Sequence, residues 1–213
     1  MRSVRLFYKK VGNMKFISHL DMNRFMIKMV RRSKIPVWYS EGFNPHPYIT
    51  FALPLSLGFE SEYEVMDVRL DDDSFSDEET YNALKKCMPD GIVFFDFGCP
   101  QMKSGQIAYA SFKITFDEDI SNFINLLNDF LSSSVINAEK KTKKGLIKII
   151  NLKEYINKFS IDNNGVNLIL SAGSNNLNPK LILDTFTTKY NIKLPSYSVT
   201  RTMLFDGQMN EFK

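Results

Sequence analysis

His19 and His46 are the only imidazoles in this chain of 213 residues, and both fall between Phe16 and Leu57. Imidazole changes charge near neutral pH and can act as general acid, general base or metal ligand. In a metal-independent nuclease, His46, and after it His19, would move the proton of a ribose 2′-hydroxyl; the residues alone leave the catalytic assignment open. His46 belongs to Glu41-Gly42-Phe43-Asn44-Pro45-His46-Pro47, where one glycine and two prolines restrict the backbone and can hold side chains for recognition. Glu41 and Asn44 join it as candidate substrate-reading groups. Trp38, Tyr39, Phe43 and Tyr48 flank the loop with rings of the kind on which unpaired bases stack. The histidines together with Asp21 or Glu41 reproduce no metal-ligand spacing, so neither a metal nor another cofactor is assigned.

Just upstream, Arg24, Lys28 and Arg31 line up at helical spacing, with Arg32 beside them, while Met22, Phe25, Met26, Met29 and Val30 fall on the opposite side. A helix with a core face and a basic face follows. The basic face can track phosphates, each contact releasing counterions, and it is also what an ordinary solvated helix presents. Ser18 three residues before Asp21 is a capping spacing, which accounts for Asp21 as a helix-start carboxylate. Ile35-Pro36 ends the helix, because proline lacks a donor and pushes its predecessor out of the helical region. The lysine-rich turn from Lys140 to Lys144 is a second candidate for contact with a nucleic-acid backbone. No phosphate-binding loop, dinucleotide fingerprint or nucleophile elbow is present.

Composition bounds these readings. With 44% hydrophobic residues the chain has ample material for a packed core, and a disordered reading is excluded. A net charge of +3 is too small to define a nucleic-acid binder, so any basic function depends on where the charges sit. Cys87 and Cys99 are too few for a disulfide framework and match no zinc or iron–sulfur spacing, which points to free thiols in a reducing compartment. The N-terminal residues lack the apolar stretch of a signal peptide, and no run approaches the roughly 18 apolar residues of a membrane span. The expectation is a soluble cytoplasmic protein with no membrane partner.

The elements that must position these residues read in order. Val4 to Lys10 alternates as a half-buried strand, with Val4, Leu6 and Tyr8 inward and Arg5 and Lys9 outward. The basic helix begins near His19, and Ile49 to Leu57 reads as a strand interrupted at Pro54. Tyr63 to Leu70 is a strand, Asp77 to Met88 a helix, and Ile92 to Phe97 a strand. This order is that of a ferredoxin-like split βαβ unit. Gly98 to Gln106 is the best linker candidate. Beyond it, Ala110 to Phe116 reads as a strand and Ile120 to Leu131 as a helix. Val135 to Lys141 and Leu146 to Ile150 form a hairpin, and Leu152 to Phe159 is ambiguous. Val166 to Ser171 is a strand, a helix starts at Asn178-Pro179, and Tyr197 to Phe205 is the last strand. The expected fold is α+β, with tandem ferredoxin-like domains at 1–98 and 107–213, the first carrying the histidine and basic site and the second an inserted hairpin.

The segments F-I-S-H-L-D-M-N-R from Phe16 to Arg24, Y-S-E-G-F-N-P-H-P from Tyr39 to Pro47 and A-L-P-L-S-L-G from Ala52 to Gly58 resemble a radical-SAM-linked bacterial domain family of unknown function. Echoes continue in K-K-T-K-K-G from Lys140 and L-S-A-G from Leu170, so the resemblance spans nearly the whole chain. It implies a domain that relatives often carry fused to the C-terminal side of a radical-SAM enzyme of the cobalamin-binding type. With only two cysteines this chain cannot hold such a cluster on three, so the implied enzyme is a separate polypeptide. The expected architecture is also similar to that of CRISPR repeat-processing endoribonucleases, which cut RNA by acid–base chemistry, although Ser171-Ala172-Gly173 is a poor substitute for their glycine-rich loop. The leading expectation is an RNA-binding or substrate-presenting accessory module. In it Arg24, Lys28 and Arg31 contact phosphates, and Glu41, Asn44 and His46 read the substrate. The alternatives are the nuclease above and a protein-interaction subunit.

Overall fold

In the computed structural model, which describes residues 1–141, 145 and 147–213, the chain divides into two units. One comprises Met1–Ile107 with Glu211–Lys213, the other Ala108–Asn210. The class is the expected one: mixed α+β, with a mostly antiparallel sheet and four α-helices among the described residues.

The first unit runs β1 (Arg2–Lys10), α1 (His19–Ser33), β2 (Ile49–Phe51), β3 (Glu60–Leu70), α2 (Asp77–Lys85) and β4 (Ile92–Gly98). Its strands pair antiparallel in the order β4-β1-β3-β2. The alternation of β1 sets the register: Val4, Leu6 and Tyr8 lie opposite Val68, Met66 and Glu64 on one face. That face receives Met22, Met26, Met29 and Val30 of α1, all buried. Each such side chain contributes roughly 1.5–3 kcal/mol of hydrophobic stabilisation, which fixes the rotation of α1 about its axis. α2 starts with a capping box in which Glu79 N–H donates to Ser76 Oγ and Ser76 N–H donates to Glu79 Oε2, at 3.2 and 2.8 Å.

Two expectations for this unit need correction. The strand expected from Ile49 to Leu57 stops at Phe51, and Pro54 beyond it has no N–H to extend a ladder. Arg5, expected to face outward, is only 1% exposed. On the second face of β1, Phe7 makes ring contacts with Tyr63 and Phe95 of the neighbouring strands, and Phe212 of the returning segment packs against Arg5. Arg5 answers the burial with a two-pronged ion pair to Asp67, at 2.7 and 2.8 Å, and a cation–π contact 4.6 Å from the Phe212 ring centre. The Tyr63 hydroxyl donates to the Phe212 carbonyl at 2.9 Å, and burial pushes its pKa up to about 12.

The second unit runs β5 (Tyr109–Phe116), α3 (Ser121–Ser132), β6 (Asn137–Lys141), β7 (Ile147–Asn151), β8 (Ile156–Asp162), β9 (Gly165–Ser171), α4 (Pro179–Tyr190) and β10 (Tyr197–Phe205). β10, β5, β9 and β8 pair in that order, all antiparallel, while β6 and β7 form a separate two-stranded sheet. The ambiguous Leu152 to Phe159 segment resolves into a short 3-10 turn, Leu152–Tyr155, followed by β8. A bulge between Ile156 and Lys158 shifts the register there and disturbs the alternation that would have marked the strand. Gly165 is required by close approach, because a Cβ there would stand 2.1 Å from the Ile114 carbonyl oxygen. The hairpin-turn expectation at 140–144 falls on residues 142–144, which lie outside the described residues. No helix among the described residues is long and apolar enough to cross a membrane.

Candidate functional site

The basic helix is built as its sequence pattern demands. Ser18 caps α1, its Oγ accepting from the Asp21 N–H at 3.1 Å and donating to Asp21 Oδ2 at 2.7 Å. With the methionine face against the sheet, Arg24, Lys28 and Arg31 are all exposed on the other side. Arg24 reaches Asp21 Oδ1 at 3.3 Å, an exposed pair that contributes little to stability. Lys28 makes no hydrogen bond or ion pair among the described residues. Lys34, in the left-handed conformation at φ 57°, terminates the helix.

Past Ile35-Pro36 the chain enters the loop that carries His46, and a small set of contacts closes it. Tyr39 and Pro47 form an isolated bridge. The Ser40 N–H donates to the His46 carbonyl at 2.9 Å, and the His46 N–H donates to Ser40 Oγ at 3.2 Å. The His46 ring is held through Nδ1, which lies 3.0 Å from Ser40 Oγ and 3.2 Å from the Asn44 carbonyl oxygen. That carbonyl can only accept, so the arrangement favours a proton on Nδ1 and leaves Nε2 as the acceptor. Glu41, Phe43, Asn44 and His46 are exposed. Gly42 takes φ 124°, a value open to glycine alone, at the turn that lifts Phe43 into solvent.

Arg31 joins helix and loop. Its Nη2 donates to the Pro45 carbonyl at 3.1 Å, and its guanidinium stands 6.0 Å from the Tyr39 ring centre. Beneath the loop, Trp38 and Tyr48 meet edge to face at 5.3 Å, and Arg69 stands 4.7 Å from the Trp38 ring centre. The structure therefore brings Arg31, Glu41, Asn44 and His46 to one end of α1, with Arg24 and Lys28 leading toward it.

His19 sits at the other end of that helix. Twelve residues separate it from Arg31, about 18 Å along the axis at 1.5 Å per residue. Its ring packs edge to face on Phe51 at 5.2 Å. A cavity of about 10 Å³ lies beside it, lined by Tyr8, Lys10, Met22, Phe51 and Glu64 among others, with no residue of the loop. That space suffices for about one water. The buried Lys10 and Glu64 are polar groups that the sequence reading did not single out. The signal was there, since Lys10 continues the inward alternation of Leu6 and Tyr8. In the second unit, a cavity of about 530 Å³ lies between α4 and β6, lined by Phe130, Ile136, Glu139, Leu181, Thr185 and Lys189 among others. Among the described residues no group of three or more His, Cys, Asp or Glu side chains is placed to hold a metal ion.

The family described as "Uncharacterized protein conserved in bacteria (DUF2344)" matches residues 3–179, a span that contains α1, the loop and every candidate residue. No curated protein matches the chain. Among solved structures, the chain is similar to "X-ray crystal structure of a heavy metal efflux pump, crystal form II", with 8% identity and a TM-score of 0.27. The match covers 94% of this chain and 28% of that one, so the chain spans well under half the length of the structure it matches. A likeness at that score carries no argument.

Proposed function

This chain belongs to the bacterial DUF2344 family, and we propose that it is an RNA-binding accessory module that presents RNA to a separate radical-SAM enzyme. The observation that carries the reading is the Arg31 joint, which makes the cationic face of α1 and the His46 loop one continuous surface. On that surface Arg24, Lys28 and Arg31 meet phosphates, while Glu41, Asn44 and His46 meet bases or sugars. The radical-SAM partner rests on the resemblance of the Phe16 to Arg24 and Tyr39 to Pro47 segments. We read the compartment as the cytoplasm, since Cys87 and Cys99 are free thiols. We also read both units as ferredoxin-like. The orders β4-β1-β3-β2 and β10-β5-β9-β8 support that reading, with β6 and β7 as the inserted hairpin.

The test is binding of a labelled single-stranded RNA to the full chain. Binding at low salt that weakens as salt rises, and that is lost in the combined Arg24→Ala, Lys28→Ala, Arg31→Ala variant, is the expected result. No binding at low salt refutes the reading, and co-purification of a cluster-bearing enzyme without nucleic acid would favour a protein-interaction subunit instead. One observation favours a second reading, a metal-independent endoribonuclease: the two contacts at Nδ1 aim the His46 ring as a general base requires. Cleavage of RNA in chelator, abolished by His46→Ala, would establish it; RNA left intact would exclude it.

A further inference from the structure

Resting on the RNA-binding reading, we infer that the loop receives an unpaired nucleotide, with the Phe43 ring as its stacking platform, so the substrate class is single-stranded or looped RNA rather than duplex. Phe43 is 105% exposed, an apolar ring held wholly in water at the loop tip. The loop that presents it is closed at its base by the Tyr39–Pro47 bridge and the Ser40–His46 hydrogen bonds and tethered by Arg31, so a ligand has only the tip and its ring left to order. The neighbouring rings are engaged: Trp38 and Tyr48 with each other, Trp38 with Arg69, and Tyr39 with Arg31. Phe43 has no ring or cation partner among the described residues, which leaves its faces open to a base.

The charges set the polarity of the contact. The Glu41 carboxylate, two residues from Phe43, repels phosphate and accepts from exocyclic amines on base edges. The cations lie on α1, which Arg31 ties to the loop. A strand that turns a base toward the loop and its backbone toward α1 satisfies both groups. A duplex offers phosphates to the cations but no base to the loop, because its bases already stack on one another, and its phosphate surface would also meet Glu41.

The experiment compares a fluorescein-labelled RNA of about 12 nucleotides, single-stranded or annealed to its complement, by anisotropy with the full chain at low salt. The expected result is single-strand binding at least about tenfold tighter than duplex binding. Phe43→Ala and Phe43→Leu should each weaken single-strand binding about tenfold, and Phe43→Trp should stay within about twofold of the parent. The leucine variant keeps the apolar bulk and removes the ring, and the tryptophan variant restores it. Parent-like binding by Phe43→Ala, or equal affinity for duplex, overturns the inference while salt-dependent binding leaves the RNA reading standing. Binding of neither RNA overturns both.

Discussion

Replacing Arg31 by alanine separates the loop contact seen in the structure from the phosphate contact proposed for the same side chain. On the RNA-binding reading, Arg31 is one of the three α1 cations assigned to phosphates and contributes to a salt-dependent term. On single strands each phosphate contact adds about 0.7 to the slope of log K against log salt. Three contacts give 3 × 0.7, about 2.1, so raising salt from about 50 to about 200 mM, about 0.6 log units, weakens binding about 18-fold. Arg24→Ala, Lys28→Ala and Arg31→Ala should each lower the slope by about 0.7. Arg31 alone also holds the loop, through the 3.1 Å hydrogen bond to the Pro45 carbonyl and the 6.0 Å approach to Tyr39. The hydrogen bond contributes about 1 kcal/mol net and the ring contact, at the limit of its range and exposed, about 0.5 kcal/mol. Their loss releases the loop and removes up to about 1.5 kcal/mol, about 12-fold in affinity, independently of salt.

Anisotropy titrations across a salt series read both quantities, the slope and the affinity extrapolated to high salt. Arg31→Ala should change both, and Arg24→Ala and Lys28→Ala only the slope. Arg31→Lys should recover the slope but not the extrapolated affinity, because an ammonium keeps the charge without the planar fork. If Arg31→Ala and Arg24→Ala are indistinguishable in both quantities, the loop tether has no part in binding. If the triple variant keeps a slope near 2, the phosphates lie elsewhere.

The other predictions concern the scaffold and the histidines. Phe212, fully buried and stacked on Arg5, should cost about 3–5 kcal/mol of unfolding free energy in urea when changed to alanine; a loss below about 1 kcal/mol would mean that the returning segment does not hold the sheet face. Tyr63, with its pKa raised from 10.0 to about 12, keeps its proton when folded but loses it first when unfolded, so stability should fall as pH rises between those two values. Tyr63→Phe should flatten that fall, and an unchanged pH dependence would show that Tyr63 titrates alike in both states. His19→Ala and His46→Ala, at opposite ends of α1, should change RNA affinity additively to within about 0.5 kcal/mol; stronger coupling in the double variant would contradict the separation seen here.

The first unit was legible because its signals are local and agree with one another. Ser18 before Asp21, methionines at helical spacing and Ile35-Pro36 delimit α1 without reference to anything distant. Arg5 was misread because nothing near it in sequence announces Phe212, which returns from the far end of the chain to cover it. β8 was missed for a different reason. Its bulge breaks the two-residue period, and its pairing partner β9 holds the clean alternation instead. Lys10 shows a third case: its position on the inward face follows from the strand period, but a lysine on a core face runs against composition-based expectation. At the site, the chemistry-bearing residue types were legible, and their grouping was not. Only the fold shows that Arg31 belongs with the loop and His19 does not.

That grouping constrains any proton chemistry on this chain. A general acid and base acting on one phosphodiester must both come within hydrogen-bond reach of it. About 18 Å of helix separates His19 from the Arg31 end, where His46 is held, and His19 lies against Phe51 beside a cavity that holds about one water. The partners His46 has are Ser40 and the Asn44 carbonyl, which orient the ring. With the proton on Nδ1, Nε2 can accept a proton from a substrate hydroxyl; protonating the leaving group then requires a second donor from the loop, from Arg31 or from solvent. A cationic guanidinium stabilises charge far better than it gives up a proton. Any acid–base pair at this site must therefore be completed from the loop, from Arg31 or from solvent, and not by His19.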